Sequence, residues 1–241
     1  MYKIVYDGKT NIVMHVLIKE RPSIPSPEYD YETVKIPGRD GDLYIEQKSV
    51  KDISVSISFT FARGPEQWQR VARGARKWLM KAKDKRLILS DSPDHYYKVK
   101  HVTVNETERQ AIEVGEFSAD FICEGRQYLI SGDTPLDLTY RAAGDFKTAS
   151  IWNQYEESMP VFIISGSGTF KMLVNGNELE ADVDGQITVD TQREVAYKQD
   201  MSSANTDITC EYKKLALTEG ENTITVASGF DVQILPKWRE I

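Results

Sequence analysis

Residues 170–183 predict a strand, a tight turn and a second strand, and they read Phe170-Lys171-Met172-Leu173-Val174-Asn175-Gly176-Asn177-Glu178-Leu179-Glu180-Ala181-Asp182-Val183. Asn175-Gly176 is a dipeptide that readily adopts the positive φ angles of a two-residue hairpin turn. Comparable turn signals lie between runs of β-branched and aromatic residues at positions 7–8, 38–41, 184–185 and 219–222. A spacing of about ten residues per turn is typical of sandwiches and barrels. The sequence therefore predicts a mainly β protein.

Strands are predicted over much of the chain, at residues 1–6, 11–18, 33–36, 43–46, 53–61, 170–174, 179–183, 187–190 and 223–226. One helix is predicted after Pro65, because apolar residues from Trp68 to Ala82 recur at the three- and four-residue spacing of a helix packed on a sheet. The opposite face of this helix carries Arg70, Arg73, Lys77 and Lys81. Such a face is usually solvated, and the alternatives are a phosphate-binding or a subunit-contact surface.

Charge is unevenly distributed along the 241 residues, whose formal net charge is −7. Residues 1–135 have 21 basic and 20 acidic side chains, whereas residues 136–241 have 9 and 17. The length suits two modest domains, and a turn-rich segment at residues 131–135 lies where the charge changes. We therefore predict an N-terminal domain over residues 1–135 and a C-terminal domain over residues 136–241.

The composition excludes several classes of protein. Hydrophobic residues make up 40% and charged residues 28%, which excludes collagen-like, low-complexity and largely disordered chains. No segment reaches the ~18 apolar residues of a spanning helix, and the first residues alternate as a strand does, so no signal peptide is expected. The acidic balance argues against nucleic acid or an anionic membrane as the main partner. Cys123 and Cys210 are expected to be free, buried thiols of a protein folded in a reducing cytoplasm.

Motifs that carry enzymatic chemistry are not found in the sequence. A phosphate-binding loop is absent, and Ser165-Gly166-Ser167-Gly168 has the wrong spacing for a nucleophile elbow, so it is interpreted as a turn between two strands. The scattered His15, His95 and His101 lack the cysteine cluster of a zinc site. An acidic row is formed by residues that alternate with apolar ones, namely Glu178, Glu180, Asp182 and Asp184. This alternation predicts a solvated strand face, and not a calcium site or a glycosidase pair. We expect no catalytic residue, no metal, no cofactor and no enzymatic activity.

Aromatic residues of the second half allow a different function. A sugar-stacking surface on a β-sandwich could be lined by Trp152, Tyr155, Tyr197, Tyr212 and Trp238. Such residues more often pack in a core or between sheets. Trp152, Tyr155 and Trp238 are the residues that we predict to face a saccharide if this half is a carbohydrate-binding module.

The stretch Thr33-Val34-Lys35-Ile36-Pro37-Gly38-Arg39-Asp40-Gly41-Asp42-Leu43 resembles a hairpin of the siphophage distal tail proteins, the Dit family. The strand at residues 53–61 and the helix from Trp68 to Leu79 follow in the order of that family, as do residues 87–91, Tyr96-Tyr97 and the strand at 116–123. The second half is similar to the family's C-terminal domain at Asn153 and at residues 160–168, 175–176, 187–190, 220–224 and 236–239. The resemblance spans nearly the whole chain and is more specific in the first half.

The resemblance implies a structural virion protein, made in the host cytoplasm and located at the tail tip or baseplate. It implies an N-terminal β-sandwich with one packed helix and an extended hairpin or arm, and a C-terminal galectin-like or carbohydrate-module-like β-sandwich. The first domain would form a homo-hexameric ring, with oligomer contacts at the motif Pro37, Gly38, Arg39, Asp40 and Gly41. The Pro-spaced segment at residues 19–32 is consistent with such an arm.

The partners implied for this ring are the tail tube protein, a tail-associated lysin or tail-tip hub protein, and a receptor-binding protein. The competing hypothesis is a carbohydrate-binding β-sandwich module that recognises saccharide of the host cell wall. The second half has no long insertion of the kind that would carry a dedicated sugar-binding or docking module.

Overall fold

The computed structural model describes residues 1–38, 40–109, 112–139 and 146–241, and within them the protein is mainly β with one α-helix. The predicted fold class is therefore confirmed. The described residues form two compact units, residues 1–127 with Ile241 and residues 128–240. The division lies eight residues before the boundary that the sequence suggests, because Tyr128, Leu129 and the 3₁₀ turn Ile130–Asp133 pack with the second unit.

The first unit contains these elements in chain order: β1 (Ile4–Tyr6), β2 (Lys9–Thr10), β3 (Leu17–Ile18), β4 (Tyr29–Lys35), β5 (Asp42–Val50), β6 (Ile53–Ala62), α1 (Pro65–Met80), β7 (Arg86–Leu89), β8 (Ser92–Val104), β9 (Glu108–Arg109) and most of β10 (Val114–Leu129). Its main sheet runs in the order β2-β1-β7-β8-β10-β6-β3. A β-sandwich was expected for this half. The structure instead has one continuous curled sheet, and the helix packs on it.

The core of the first unit lies between this sheet and α1. Strand β6 alternates as predicted, so Val55, Ile57 and Phe59 are buried while the serines between them face outward. Strand β10 pairs with β6 over ten residues, from Val114↔Ala62 to Cys123↔Ile53. The helix has the predicted apolar stripe and buries Trp68, Val71, Ala72, Ala75, Trp78 and Leu79.

Strands β4 and β5 form a separate two-stranded sheet. They pair from Tyr29↔Val50 to Lys35↔Asp42, and the turn that joins them contains the predicted motif. Nearly every described side chain of these strands is exposed or half-buried. An isolated hairpin is marginally stable in water, so we expect this one to pack against another surface that stabilises it. We call residues 29–50 the hairpin arm.

The second unit continues with β11 (Leu136–Asp137), β12 (Phe146–Asn153), β13 (Val161–Val174), β14 (Asn177–Asp190), β15 (Val195–Lys198), β16 (Ile208–Cys210), the 3₁₀ turn Tyr212–Leu215, β17 (Gly220–Ala227), β18 (Asp231–Leu235) and β19 (Arg239–Glu240). Its centre is the hairpin of β13 and β14, which pair over fourteen residues around Asn175-Gly176. The hairpin predicted from residues 170–183 is therefore confirmed and is longer than predicted.

The two halves of this long hairpin belong to different parts of the sheet. The first half of β13 pairs with β18 and its second half with β17, while β14 pairs with β16 and then with β15. One face is buried along most of both strands, including Phe162, Phe170 and Leu179, and is interrupted at the exposed Gly168 and Gly185. The hairpin therefore curls around the core of the second unit.

Two predicted turns lie inside these strands and were wrong. Asp184-Gly185 was expected to reverse the chain, and Ser165–Gly168 to connect two strands, yet both are parts of the continuous hairpin, where Gly166 pairs with Gly185. Gly168 and Gly185 have φ angles of 109° and 86°, which only glycine adopts readily. The positive φ angles of Gly168 and Gly185 therefore bend the paired strands, and neither strand ends there.

The strand predicted at residues 11–18 was also largely wrong. Only Leu17–Ile18 is a strand, and residues 11–15 form turns that end at His15 with a φ of 61°. The buried Asn11 side chain organises them, since its Oδ1 accepts a hydrogen bond from the Ile4 N–H (3.1 Å) and its Nδ2 donates to the Val16 carbonyl (3.0 Å). A local side-chain hydrogen bond thus replaces the strand ladder.

Candidate functional site

The predicted motif lies at the tip of the hairpin arm. Pro37, Gly38, Asp40 and Gly41 form the turn between β4 and β5, whereas Arg39 lies outside the described residues. Gly38 and Gly41 have φ angles of 79° and 81°, so glycine at these positions has a conformational reason. Pro37 fixes the entry into the turn. The motif therefore builds the tip, and its predicted role in oligomer contacts stays a prediction.

The hairpin arm exposes large apolar side chains that the sequence reasoning did not single out. Tyr44 is 67% and Tyr31 47% exposed, and their rings lie 6.4 Å apart, edge to face. On the opposite face Leu43 and Ile45 are also exposed. Both faces of the arm thus lack a core, which is typical of an interaction surface. The consecutive apolar residues 43–45 were the signal for it, since a strand covered on one face alternates.

The three aromatics predicted to face a saccharide lie in two different settings. Trp152, on β12, is 69% exposed. Tyr155 and Trp238 are half-buried with ring centroids 6.2 Å apart, and Trp238 packs against the core of the second unit. Of these three aromatics, Trp152 is the one with a largely exposed ring.

Hydroxyl and carboxylate groups surround Trp152 on the outer face of β12 and β17. Trp152 is opposite Glu221, whose Oε1 accepts a hydrogen bond of 2.7 Å from the Ser150 hydroxyl. Thr148 and Thr225 are opposite each other four residues farther along the two strands, on the same face, and their hydroxyls are 2.9 Å apart. This face therefore offers an exposed ring beside a row of short polar groups.

The acidic row of β14 is solvated, as predicted. Glu178, Asp182 and Asp184 are exposed and Glu180 is half-buried, while the intervening residues are buried. Lys171 on β13 forms ion pairs with Glu178 (3.6 Å) and Glu180, and the hydrogen bond that Lys171 donates to Glu180 raises the Lys171 pKa. The row is neutralised in part by its neighbouring strand and does not converge on a site.

Groups suited to catalysis are not assembled in the described ranges. No cluster of three or more His, Cys, Asp or Glu that could hold a metal occurs among the described residues. Both thiols are free, as predicted, but only Cys123 is buried and Cys210 is half-buried. Burial raises the Cys123 pKa to about 12, so this thiol is a poor nucleophile. Over the same described residues, the helix is neither long nor apolar enough to cross a membrane.

One solved structure with this fold is a crystal structure of the SPP1 Dit (gp 19.1) protein, which is presented as a paradigm of the hub adsorption apparatus in phages that infect Gram-positive bacteria. The match covers 100% of this chain and 98% of that chain, with a TM-score of 0.65 and 16% sequence identity. The resemblance expected from the sequence is thus confirmed for the fold. No protein-family model and no curated protein sequence matches the chain.

Proposed function

We propose that the protein is a structural component of a phage tail, in which it forms a ring hub at the distal end of the tail tube. The observation that carries this proposal is the likeness of the whole chain to a protein of a phage hub adsorption apparatus. The hairpin motif at residues 33–43 supports it from the sequence. A structural role also agrees with surfaces that offer contacts rather than an assembled reactive site.

Ring formation is supported by the hairpin arm. A ring needs a heterologous contact, in which one surface of a copy meets a different surface of the next copy and the rotation closes. The arm provides a surface of this kind, because Tyr31, Leu43 and Tyr44 are exposed on a two-stranded element without a core of its own. Six copies is the number that the family resemblance implies.

The partners of the ring follow from its place in the tail. We infer that one face meets the tail tube protein and the other a tail-associated lysin or tail-tip hub protein, with a receptor-binding protein as a further partner. The protein would be made in the host cytoplasm and located at the tail tip or baseplate of the virion. In this role it needs no cofactor and carries out no catalysis.

Native mass spectrometry and negative-stain imaging of the full chain test this proposal. We expect six-membered rings at high protein concentration, and their loss in a Tyr31→Ser/Tyr44→Ser variant that keeps its circular dichroism spectrum. Met201→Ser is the matched control, because Met201 is 73% exposed but lies outside the arm. A chain that stays monomeric and does not bind tail tube protein contradicts the proposal.

A second candidate function, recognition of cell-wall saccharide, is favoured by the surroundings of Trp152. An exposed indole stacks on the apolar face of a sugar ring, and the Ser150 hydroxyl with the Glu221 carboxylate offers hydrogen-bond partners next to it. The second unit would then contact the host surface directly, in addition to any role of the first unit.

Binding of host cell-wall polysaccharide to the full chain tests this second function. Quenching or shift of tryptophan fluorescence is the readout, and Trp152→Ala is expected to weaken binding about tenfold, since a stacked aromatic contact contributes up to about 1.5 kcal/mol. Met201→Ala should bind like the unaltered chain. Absence of binding by the unaltered chain, or an unchanged affinity in Trp152→Ala, contradicts saccharide recognition at this face.

A further inference from the structure

The outer face of β12 and β17 has an aromatic ring at each end. Phe146, the first residue of β12, is 50% exposed, and Trp152, next to its last residue, is 69% exposed. The two strands pair without a register shift along the whole of β12, so residues an even number apart face the same side. Ala149 and Ile151 pack against the core of the second unit. Phe146 and Trp152 therefore both lie on the outer side.

Hydroxyl groups occupy the space between these two rings. Thr148 and Ser150 lie there on β12, and Thr225 and Thr223 of β17 are opposite them. A protein interface is most apolar at its centre, where serine is depleted, whereas here the hydroxyls are central and the rings are at the ends. Hydroxyls both donate and accept hydrogen bonds, so this arrangement suits a ligand with hydroxyl groups of its own. We define the hydroxyl face as Phe146, Thr148, Ser150, Trp152, Glu221, Thr223 and Thr225.

The charges on and beside the hydroxyl face are mainly negative. Glu221 is the one titratable residue of the face itself. On the neighbouring strand β13, Lys171 is ion-paired with Glu178 and Glu180 of β14. Lys147 alternates with the outward-facing residues of β12 and therefore lies on its other side. An anionic polymer would be repelled here, so the face favours a ligand without negative charge.

We propose that the hydroxyl face binds an uncharged, linear saccharide chain that stacks on Trp152 at one end and on Phe146 at the other. The two residues are six positions apart on one strand, which separates them by about 20 Å. A single sugar reaches only one of the rings, whereas a chain of several sugar units reaches both and places its middle units over the hydroxyls. This inference rests on the second candidate function, saccharide recognition, and adds Phe146 as a stacking residue and chain length as a requirement.

Size-fractionated fragments of host cell-wall polysaccharide test this inference. The fragments are labelled with a fluorophore at one end, divided into uncharged and anionic pools by ion exchange, and titrated with the full chain while fluorescence anisotropy is recorded. For the uncharged pool, affinity should rise with fragment length until both rings are covered, because two contacts on one ligand reinforce each other. The anionic pool should bind more weakly at every length, and Glu221→Lys should reduce this difference.

Variants of the two aromatic residues separate the two ends of the face. Phe146→Ala should weaken binding of long fragments about tenfold, the value of one stacked ring. It should leave the shortest fragments unchanged, since these bind at Trp152. Trp152→Ala should weaken short and long fragments alike, and Phe146→Trp should keep the affinity for long ones. Met201→Ala is the matched control, because it truncates an exposed apolar side chain of the second unit outside the face.

The outcomes distinguish this inference from the saccharide function on which it rests. If long fragments bind Phe146→Ala as tightly as the unaltered chain, or if affinity does not depend on length, the extended face is overturned while recognition at Trp152 stands. Tighter binding of the anionic pool overturns the uncharged ligand. An unaltered chain that binds no fragment of either pool contradicts saccharide recognition itself. Thermal melts of each variant verify that the second unit stays folded.

Discussion

Gly166 is the position where a single methyl group should most directly test the curled hairpin of the second unit. A Cβ at this residue would lie 2.4 Å from Cδ1 of Phe230, 3.0 Å from Cε1 and 3.2 Å from Cγ. Phe230 is itself buried and packs edge to face on Phe170, with ring centroids 5.1 Å apart. The ring therefore has little room to move away, and Gly166→Ala forces overpacking.

The expected cost of Gly166→Ala is about 1–3 kcal/mol, the usual range for an inserted methyl in a packed core. Phe230→Ala removes the clashing ring and should cost about 3–5 kcal/mol by itself. The double variant should cost less than the sum of the two single variants, because the clash with the ring is gone while the strain of an alanine at the Gly166 φ of 158° stays.

Urea denaturation of the full chain measures these values. The two units can unfold separately, so the transition of the second unit must be followed by itself, for example by hydrogen exchange at β13 and β14. Gly168→Ala is the control in the same strand, since Gly168 also has a positive φ but nothing lies within 4 Å of its added Cβ. A cost below about 0.5 kcal/mol for Gly166→Ala, or additive effects in the double variant, would refute the packing of Phe230 on this strand.

Three further predictions concern the first unit. Trp78→Phe removes the 2.8 Å hydrogen bond from Nε1 to the Tyr6 carbonyl and leaves that buried oxygen without its partner, so it should cost about 1–3 kcal/mol in a urea melt. The Cys123 thiol should react with a disulfide reagent only on unfolding, because it is buried and its pKa is raised to about 12; rapid reaction in native buffer would contradict this. Hydrogen bonds from Arg86 lower the Asp84 pKa, so this carboxylate stabilises the fold above its unfolded pKa and loses that contribution as the pH falls through its lower folded pKa. Asp84→Asn should therefore flatten the acid limb of the stability profile, and an unchanged profile would count against the interaction.

Much of the first unit follows from patterns that are local in the sequence. The strand at 53–61 and the helix from Pro65 are found where they were predicted, since alternation and helical spacing each need only one buried face. Gly38, Asp40 and Gly41 are also found in a turn, because the two glycines supply positive φ. The partner of each element was not predicted, and β6 pairs with β10, about sixty residues later in the chain.

The candidate surfaces were harder to predict than the fold. The sequence pointed to the hairpin tip and to the cations of α1, but it did not distinguish an exposed tyrosine from a buried one. Tyr6 and Tyr44 both follow an aliphatic residue in a strand, yet Tyr6 is 2% and Tyr44 67% exposed. That difference depends on whether another layer covers the strand, which is a property of the assembled sheets.

The sequence by itself determined the mainly β class, the single helix, the tight turn at Asn175-Gly176 and the solvated acidic row, because each depends on residue periodicity or on φ preferences of neighbouring residues. The tertiary structure decided the remainder. Asp184-Gly185 has the same turn chemistry as Asn175-Gly176, but it bends a continuous strand because β14 stays paired with β13 through Gly166 on both sides of it. The physical reason is that positive φ permits a change of direction, whereas the hydrogen bonds and the core on either side determine whether the chain reverses or curls.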